Sequence, residues 1–132
     1  MALLTTLKLK DKEQDYKVVD FRLHMARNYN QFSPDSAPAC DRIEMTVVAP
    51  STDDFTFYGW YQDRCLLSGR LAYELPVSLN HAYSESRIID FEDAQCFGFN
   101  ESYDLYSKHR RLLKLMIVPG RVTMDSVSFE KL

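Results

Sequence analysis

Histidine is the residue type in this chain best suited to acid–base chemistry or metal binding, yet its positions do not indicate a reaction centre. The three histidines lie far apart in the sequence, in a strand-like segment, a Ser/Asn-rich loop and a basic turn: His24, His81 and His109. A catalytic or metal-binding histidine needs partner groups close by, and nothing in the sequence brings these three together. The pattern therefore favours three surface histidines.

The cysteines are the second candidates for chemistry. Cys40, Cys65 and Cys96 are odd in number and widely spaced, with no Cys-x-x-Cys pair. This spacing argues against a disulfide framework and against a structural zinc site, and no local signature of a cysteine nucleophile surrounds any of them. The sequence predicts three buried, reduced thiols.

Asp53 and Asp54 are adjacent acids that resemble a pair of catalytic carboxylates. Adjacent side chains on a helix do not face each other, however, and the pair directly precedes an aromatic run. The four glycines of the chain are too scattered to cradle a nucleotide phosphate. We therefore predict no catalytic residue, no bound metal and no cofactor.

The acids belong to the stretch "PSTDDFTFYGWYQDR", residues 50–64, which predicts the start of a helix. Ser51 or Thr52 is suited to cap the free backbone amides, and Asp53 and Asp54 suit the positive end of the helix dipole. The spacing Ser51-x-x-Asp54 is close to a capping box, with Asp in place of Glu.

The aromatic residues of this stretch have two possible roles. Tyr58 and Trp60 lie at helical spacing with other rings, which is typical of a helix packed onto an open end of a β-structure. The alternative is a platform on which the rings stack against a sugar or a base. The helix is expected to end before Ser68–Gly69 and to be the only long helix of the chain.

The segments around this helix alternate apolar and polar residues, as half-buried strands do. The predicted strands are Leu3 to Lys10, Val19 to Met25, Ile43 to Val47, Leu71 to Val77, Ile88 to Phe99 with a phase slip near Asp93, Leu112 to Val118 and Val122 to Phe129. A long Asn-, Ser- and Pro-rich loop spans residues 28–40. We predict one domain over residues 1–132, a mainly β barrel or sandwich of two sheets with one α-helix packed on it.

Composition limits the possible partners. The chain of 132 residues is 45% hydrophobic and carries a formal net charge of −3, so it lacks the basic field of a nucleic-acid-binding protein. The basic cluster at residues 108–111 is interpreted as a turn between strands. The N-terminus "MALLTTLKLK" fits neither a signal peptide nor a membrane span, which predicts synthesis for the cytoplasm or export without such a signal.

Three phrases of the sequence resemble the tube protein of bacterial type VI secretion systems, the Hcp or TssD family, in its Bacteroidetes branch. The central phrase is "IEMTVVAPSTDDFTFYGWYQDRCLLSGRLAYELP", residues 43–76. The second is "IIDFEDAQCFGFNESYDLY", residues 88–106, and the third is the closing segment "LKLMIVPGRVTMDSVSFEKL". The sequence differs from the family in the loop at residues 29–42, which has no glycine, and in the "PGR" turn at residues 119–121.

The resemblance implies a structural role without an active site. Such proteins have two sheets in a flattened barrel with one helix covering one side, and six subunits form a ring. The rings stack into a tube that carries effectors, bears a spike and is expelled by a contracting sheath, without a signal peptide. Three alternatives stay open: a small-molecule- or protein-binding β-barrel domain, a divergent paralogue that does not form tubes, and a hydrolase whose catalytic residues the sequence does not reveal.

Overall fold

The computed structural model describes residues 5–26, 39–76, 84–124 and 127–130. These ranges contain eight strands and one helix. The strands are β1 (Thr5–Leu9), β2 (Asp15–Ala26), β3 (Ala39–Val48), β4 (Leu66–Pro76), β5 (Ser84–Tyr103), β6 (Arg111–Val118), β7 (Arg121–Met124) and β8 (Val127–Glu130). The helix α1 (Thr56–Gln62) lies between β3 and β4. The mainly β fold with one helix is therefore confirmed.

Six of the strands close into a barrel. Their order around it is β2, β1, β4, β5, β6 and β3, and the pairing of β2 with β3 completes the ring. The short β7 extends the same sheet, because it pairs with the first half of β5 while β6 pairs with the second half. Most of the predicted loop at residues 28–40 lies outside the described residues, and its last two residues begin β3.

The inside of the barrel is filled by apolar side chains from every strand of the ring. They alternate with outward residues, as the pleat of a β-strand requires. The inward side chains with 0% exposure include Leu7, Ile43, Met45, Val47, Leu71, Leu113, Leu115 and Ile117. This interior is a packed core.

The sequence-predicted irregularity near Asp93 is a β-bulge in β5. Phe91 pairs with Gly69 and Ala94 with Leu67, so β5 has one extra residue between these pairs. Asp93 has a φ of 53°, and its backbone N–H donates a hydrogen bond to the Ser68 hydroxyl at 3.1 Å. The bulge moves the inward face from Phe91 to Ala94, which is why the apolar pattern of the sequence changes phase here.

A second bulge in β5 brings an aromatic ring to the surface. Cys96 pairs with Ile117 and Gly98 with Met116, which leaves Phe97 as the extra residue. Phe97 is 46% exposed, and the Met116 side chain lies over Gly98, where a Cβ would meet its Cε at 2.2 Å. The outer surface at this bulge is therefore apolar.

The alternation predicted for the second strand is wrong at Val19, because a β-bulge in β2 shifts the alternation there. The sequence places Val19 on the same face as Phe21 and Leu23, but Val18 pairs with Val47 and Asp20 with Thr46, which leaves Val19 as the extra residue. Val19 is 47% exposed, while Val18 is buried. The inward series begins with Tyr16 and Val18 and resumes at Phe21, so the unbroken apolar pattern concealed a change of register.

The helix covers one end of the barrel. Trp60 and Phe57 are its buried residues; the Trp60 indole N–H donates to the Ala94 carbonyl at 2.9 Å and its ring stacks on Phe91 at 6.2 Å between centroids. Phe57 meets the ring of Tyr16 edge to face at 4.6 Å. Phe57 and Trp60, the two buried rings of the aromatic run, thus close the end of the core.

We expect Trp60→Ala to lower the free energy of unfolding by about 3–5 kcal/mol, because it removes a buried ring and leaves a cavity. Denaturant unfolding beside the wild-type protein measures the loss. Tyr106→Ala is the matched control, since Tyr106 is 93% exposed, and its effect is expected to stay within about 0.5 kcal/mol. An unchanged midpoint for Trp60→Ala would contradict its role in the core.

Two glycines are expected to respond in opposite ways to alanine. A Cβ on Gly69 would lie 2.9 Å from the Lys8 carbonyl oxygen and 2.9 Å from the Phe91 ring, so Gly69→Ala forces β1 and β4 apart and costs about 1–3 kcal/mol. A Cβ on Gly59 meets only Asp63, at an ordinary 3.6 Å, within the helix. Gly59→Ala is therefore expected to stabilise by about 0.5–1 kcal/mol. Melting curves of the two variants check both signs.

Candidate functional site

The helix-covered end of the barrel contains most of the site residues named from the sequence, and its local structure begins with the turn at residues 51–54. The Ser51 carbonyl accepts a hydrogen bond from the Asp54 backbone N–H at 3.0 Å. The Ser51 hydroxyl donates to an Asp53 carboxylate oxygen at 2.6 Å. These bonds form a turn ahead of the helix, to which Thr52 belongs.

The predicted helix cap at Ser51 or Thr52 is wrong, and the two acids precede the helix instead of forming a capping box with Ser51. The helix begins at Thr56, its N-cap residue is Phe55 without a side-chain capping bond, and no acid lies in the first turn. The side chains of Ser51 and Asp53 are hydrogen-bonded to each other within the turn. The competing local hydrogen bond between these two side chains explains why the capping pattern did not produce a cap.

Asp54 nevertheless connects the turn, the helix and the barrel. One of its carboxylate oxygens accepts bonds from the Thr56 backbone N–H at 3.0 Å and from the Thr56 hydroxyl at 2.6 Å. The other accepts a bond from the Tyr16 hydroxyl on β2 at 2.9 Å. Partial burial raises the pKa of Asp54, but the bonds from Thr56 and Tyr16 outweigh burial and hold the pKa below its ordinary value. The charged form is thus preferred.

Tyr58 lies on the outer side of the helix, where β5 and β6 extend past the barrel. Its hydroxyl donates to the Glu101 carboxylate and accepts a bond from Arg111 at 2.7 Å. Arg111 also bonds Glu101 at 2.7 Å, and the Tyr58 ring lies 4.9 Å from that of Phe99. The bonds from Tyr58 and then Arg111 lower the pKa of Glu101. This closed network fixes the helix to the β5–β6 ribbon.

Several hydrogen-bond partners at this end of the barrel have no local signal in the sequence. Tyr16 lies 38 residues from its partner Asp54 in the sequence. Glu101 and Arg111 lie 43 and 53 residues from Tyr58, to which both are bonded. Arg111 was assigned to a basic turn, yet it begins β6 and holds two hydrogen bonds. Pairing across such separations depends on strand register, which a single sequence does not reveal.

The histidines and cysteines are dispersed over the fold. His24 on β2 lies 2.9 Å from the Glu44 carboxylate, His109 lies in the turn before β6, and His81 lies outside the described residues. Burial raises the pKa of the Cys40 and Cys96 thiols to about 11 in each case. The expectation of three buried thiols is wrong for Cys65, which is exposed because it follows the helix at the rim of the barrel.

No arrangement typical of a reaction centre occurs in the part of the chain that the structure describes. Across these ranges, no three His, Cys, Asp or Glu side chains are grouped to hold a metal ion. The same ranges include no helix long and apolar enough to cross a bilayer. What the helix-covered end offers is a set of structural contacts.

Comparison with known proteins gives one family and one fold. Residues 1–132 match the family model for TssD, hemolysin coregulated protein Hcp. No curated protein matches the chain. Among solved structures, Hcp1 from Flavobacterium johnsoniae aligns with a TM-score of 0.74 and 21% identity, covering 97% of this chain and 99% of that one.

Two further solved structures share the fold at lower identity. Hcp1 from E. coli EAEC 042 aligns with a TM-score of 0.72 and 12% identity over 98% of this chain and 99% of that one. The secreted protein Hcp3 from Pseudomonas aeruginosa aligns with a TM-score of 0.66 and 10% identity over 96% and 95%. The barrel and its helix are therefore retained although most side chains differ.

Because the pKa of Asp54 is lowered in the folded protein, we expect the stability of the fold to depend on pH. Since its pKa is lower in the folded protein, its contribution is present above the pKa of the unfolded chain, about 3.9, and is lost as the pH falls through the folded value. Asp54→Asn is therefore expected to be less stable than wild type near neutral pH, with the difference shrinking below about pH 4. Unfolding midpoints between pH 7 and pH 3 measure the difference.

Asp53→Asn is the control for this comparison, because the Asp53 carboxylate accepts its bond from the Ser51 hydroxyl within the exposed turn. Its effect near neutral pH is expected to be smaller than that of Asp54→Asn. A stability difference between wild type and Asp54→Asn that stays constant down to acid pH would show that the charge of Asp54 is not what stabilises the fold.

Proposed function

The chain belongs to the TssD family, hemolysin coregulated protein Hcp, and on that premise we propose that it is a structural subunit of the inner tube of a type VI secretion system. In this proposal residues 1–132 are one domain, and six copies form a ring. The rings stack into a tube that carries effectors, bears the spike and is expelled when the surrounding sheath contracts.

The packed interior of the barrel is the structural observation that supports a building-block role. A small-molecule-binding barrel keeps an open cavity lined by its inward residues. Here the inward residues, such as Leu7 on β1, Ile43 on β3 and Leu115 on β6, have 0% exposure and belong to one core cluster. The helix adds Phe57 and Trp60 over one end. Such a barrel acts through its surface, which favours the tube subunit over the binding barrel.

The outer surface carries an apolar patch suited to contact between copies. The bulge patch consists of Leu66, Phe97 and Met116. Phe97 lies beside Met116 in the register of β5 and β6, and Leu66 pairs with Gln95 two residues away. Leu66 is 58% exposed, which is unfavourable in water unless another surface covers it. We assign this patch to the contact between neighbouring subunits of the ring.

The proposal includes a role without catalysis and a route of export. The subunit is synthesised and assembled in the cytoplasm and leaves the cell through the secretion apparatus, with no need of a signal peptide. Its partners are further copies of itself, the sheath, the spike protein and effectors. Nucleic acid and membrane insertion play no part in it, in keeping with the net charge of −3.

Native mass spectrometry at micromolar concentration tests the proposal, followed by negative-stain imaging of the same sample. The expected result is a cyclic hexamer that appears as rings, with short stacks at higher concentration, because a repeated heterologous contact closes on itself. A monomer at every concentration, with no rings on the grid, would overturn the proposal. Rings that never stack would indicate a divergent paralogue that does not form tubes.

Phe97→Glu is expected to weaken the ring without unfolding the barrel, because it places a charge in the bulge patch at a position already exposed to water. The expected change is a shift from hexamer to monomer with an unchanged circular dichroism spectrum. Tyr106→Glu is the control, since it adds the same charge at an exposed aromatic residue outside the patch. Hexamers of equal abundance in both variants would remove the patch from the interface.

A further inference from the structure

Cys65 directly precedes β4, and Cys96 lies on β5, the strand with which β4 pairs. Leu67 pairs with Ala94, and Leu66 pairs with Gln95. Continuing this antiparallel register by one residue, to the residue directly before β4, places Cys65 opposite Cys96. Neither cysteine is part of a disulfide in this structure.

The two cysteines also share one face of the ladder. Leu66 and Gln95 are both exposed on the outer face, whereas Leu67 and Ala94 are turned to the core. Because successive residues alternate between faces, the same register places Cys65 on the face on which Cys96 is buried, at the rim where Cys65 itself is exposed. Opposite residues in an antiparallel pair have Cα atoms about 4.5–5.5 Å apart. This spacing lies within the range of about 4.4–6.8 Å that a disulfide spans.

The electrostatics of Cys96 agree with this proximity. Burial is the main reason why the pKa of its thiol is raised, and a negative charge on Cys65 raises it further. The Cys96 thiol donates a hydrogen bond to the backbone carbonyl oxygen of Gly98 at 3.2 Å. The Cys96 thiol is therefore held just inside the rim at which Cys65 is exposed.

The cysteines differ in their access to solvent. Cys65 is exposed, whereas Cys96 is only 2% exposed and Cys40 only 1%. Cys40 lies on β3 opposite Met25, and its thiol is directed to the Arg42 carbonyl. A reagent from solution thus meets Cys65 first, and the thiol that the β-ladder places opposite it is Cys96.

We propose that Cys65 and Cys96 form a reversible intramolecular disulfide when the folded protein meets a low-molecular-weight disulfide oxidant. The Cys65 thiolate attacks one sulfur of the oxidant, which gives a mixed disulfide and releases one small thiolate. Cys96 then loses its proton to solvent and attacks the Cys65 sulfur, which releases the second small thiolate. Two protein thiols are oxidised and one disulfide oxidant is reduced to two thiols.

The bond ties the segment after α1 to β5 beside the bulge at Phe97. It closes a covalent loop over residues 65–96, which contains β4 and the part of β5 up to Cys96. A cross-link of this kind restricts the unfolded chain and is expected to raise the melting temperature. The inference rests on the β4–β5 register and does not depend on the tube function.

Oxidised glutathione added to the reduced, full-length protein tests the proposal. The thiols remaining are counted under denaturing conditions, and the cross-linked peptides are identified by mass spectrometry without reduction. The expected result is that two of the three thiols disappear, with one peptide joining Cys65 to Cys96 and a free Cys40. The melting temperature should rise and return to its first value after reduction with dithiothreitol.

Cys65→Ser is the decisive variant, because an exposed position tolerates the change and the two remaining thiols are buried. It should keep both thiols free and show no rise in melting temperature. Cys40→Ala should still form the bond. The proposal is overturned by glutathione retained on Cys65 with Cys96 free, by a Cys65–Cys65 cross-link between chains, or by three thiols that stay unreacted.

Discussion

Closure of six strands into one barrel is the constraint on which the rest of this structure depends. Pairing of β2 with β3 closes the ring, so each of the six strands must present apolar side chains to a single enclosed space. Strands as long as β2 and β5 meet this requirement only where an extra residue resets their alternation. The bulges at Val19, Asp93 and Phe97 follow from that requirement, and two of them bring apolar residues to the outer surface.

The helix follows from the same closure. A helix of seven residues is too short to be stable in water by itself, so α1 owes its stability to what it covers. Trp60 and Phe57 continue the core beyond the last inward residues of the strands, and Asp54 fixes the approach of the chain through Tyr16. Trp60, the residue named first for a ligand platform, is thus buried in the core.

The sequence predicted the elements whose signal is local. The helix position, the mainly β fold and the irregularity at Asp93 were all visible, the last because the apolar phase changes within β5 itself. The bulge at Val19 was missed because Val19 continues an apolar series, and only the pairing with β3 shows the shift. The helix cap was misplaced because Ser51 found a nearer partner than the helix amides. The network of Tyr58, Glu101 and Arg111 could not be predicted, because only the register of the strands brings these distant residues together.

The pairing of β1 has a consequence for the nascent chain on the ribosome. One edge of β1 pairs with β2, its neighbour in sequence, but the other edge pairs with β4, where Thr5 meets Tyr73. Until β4 has been synthesised, β1, β2 and β3 can form only a three-stranded sheet with open edges, and such edges attract other unfolded chains. The order of strands therefore makes folding a late, high-contact-order event, and we expect protection of the nascent chain by chaperones until β4 has emerged.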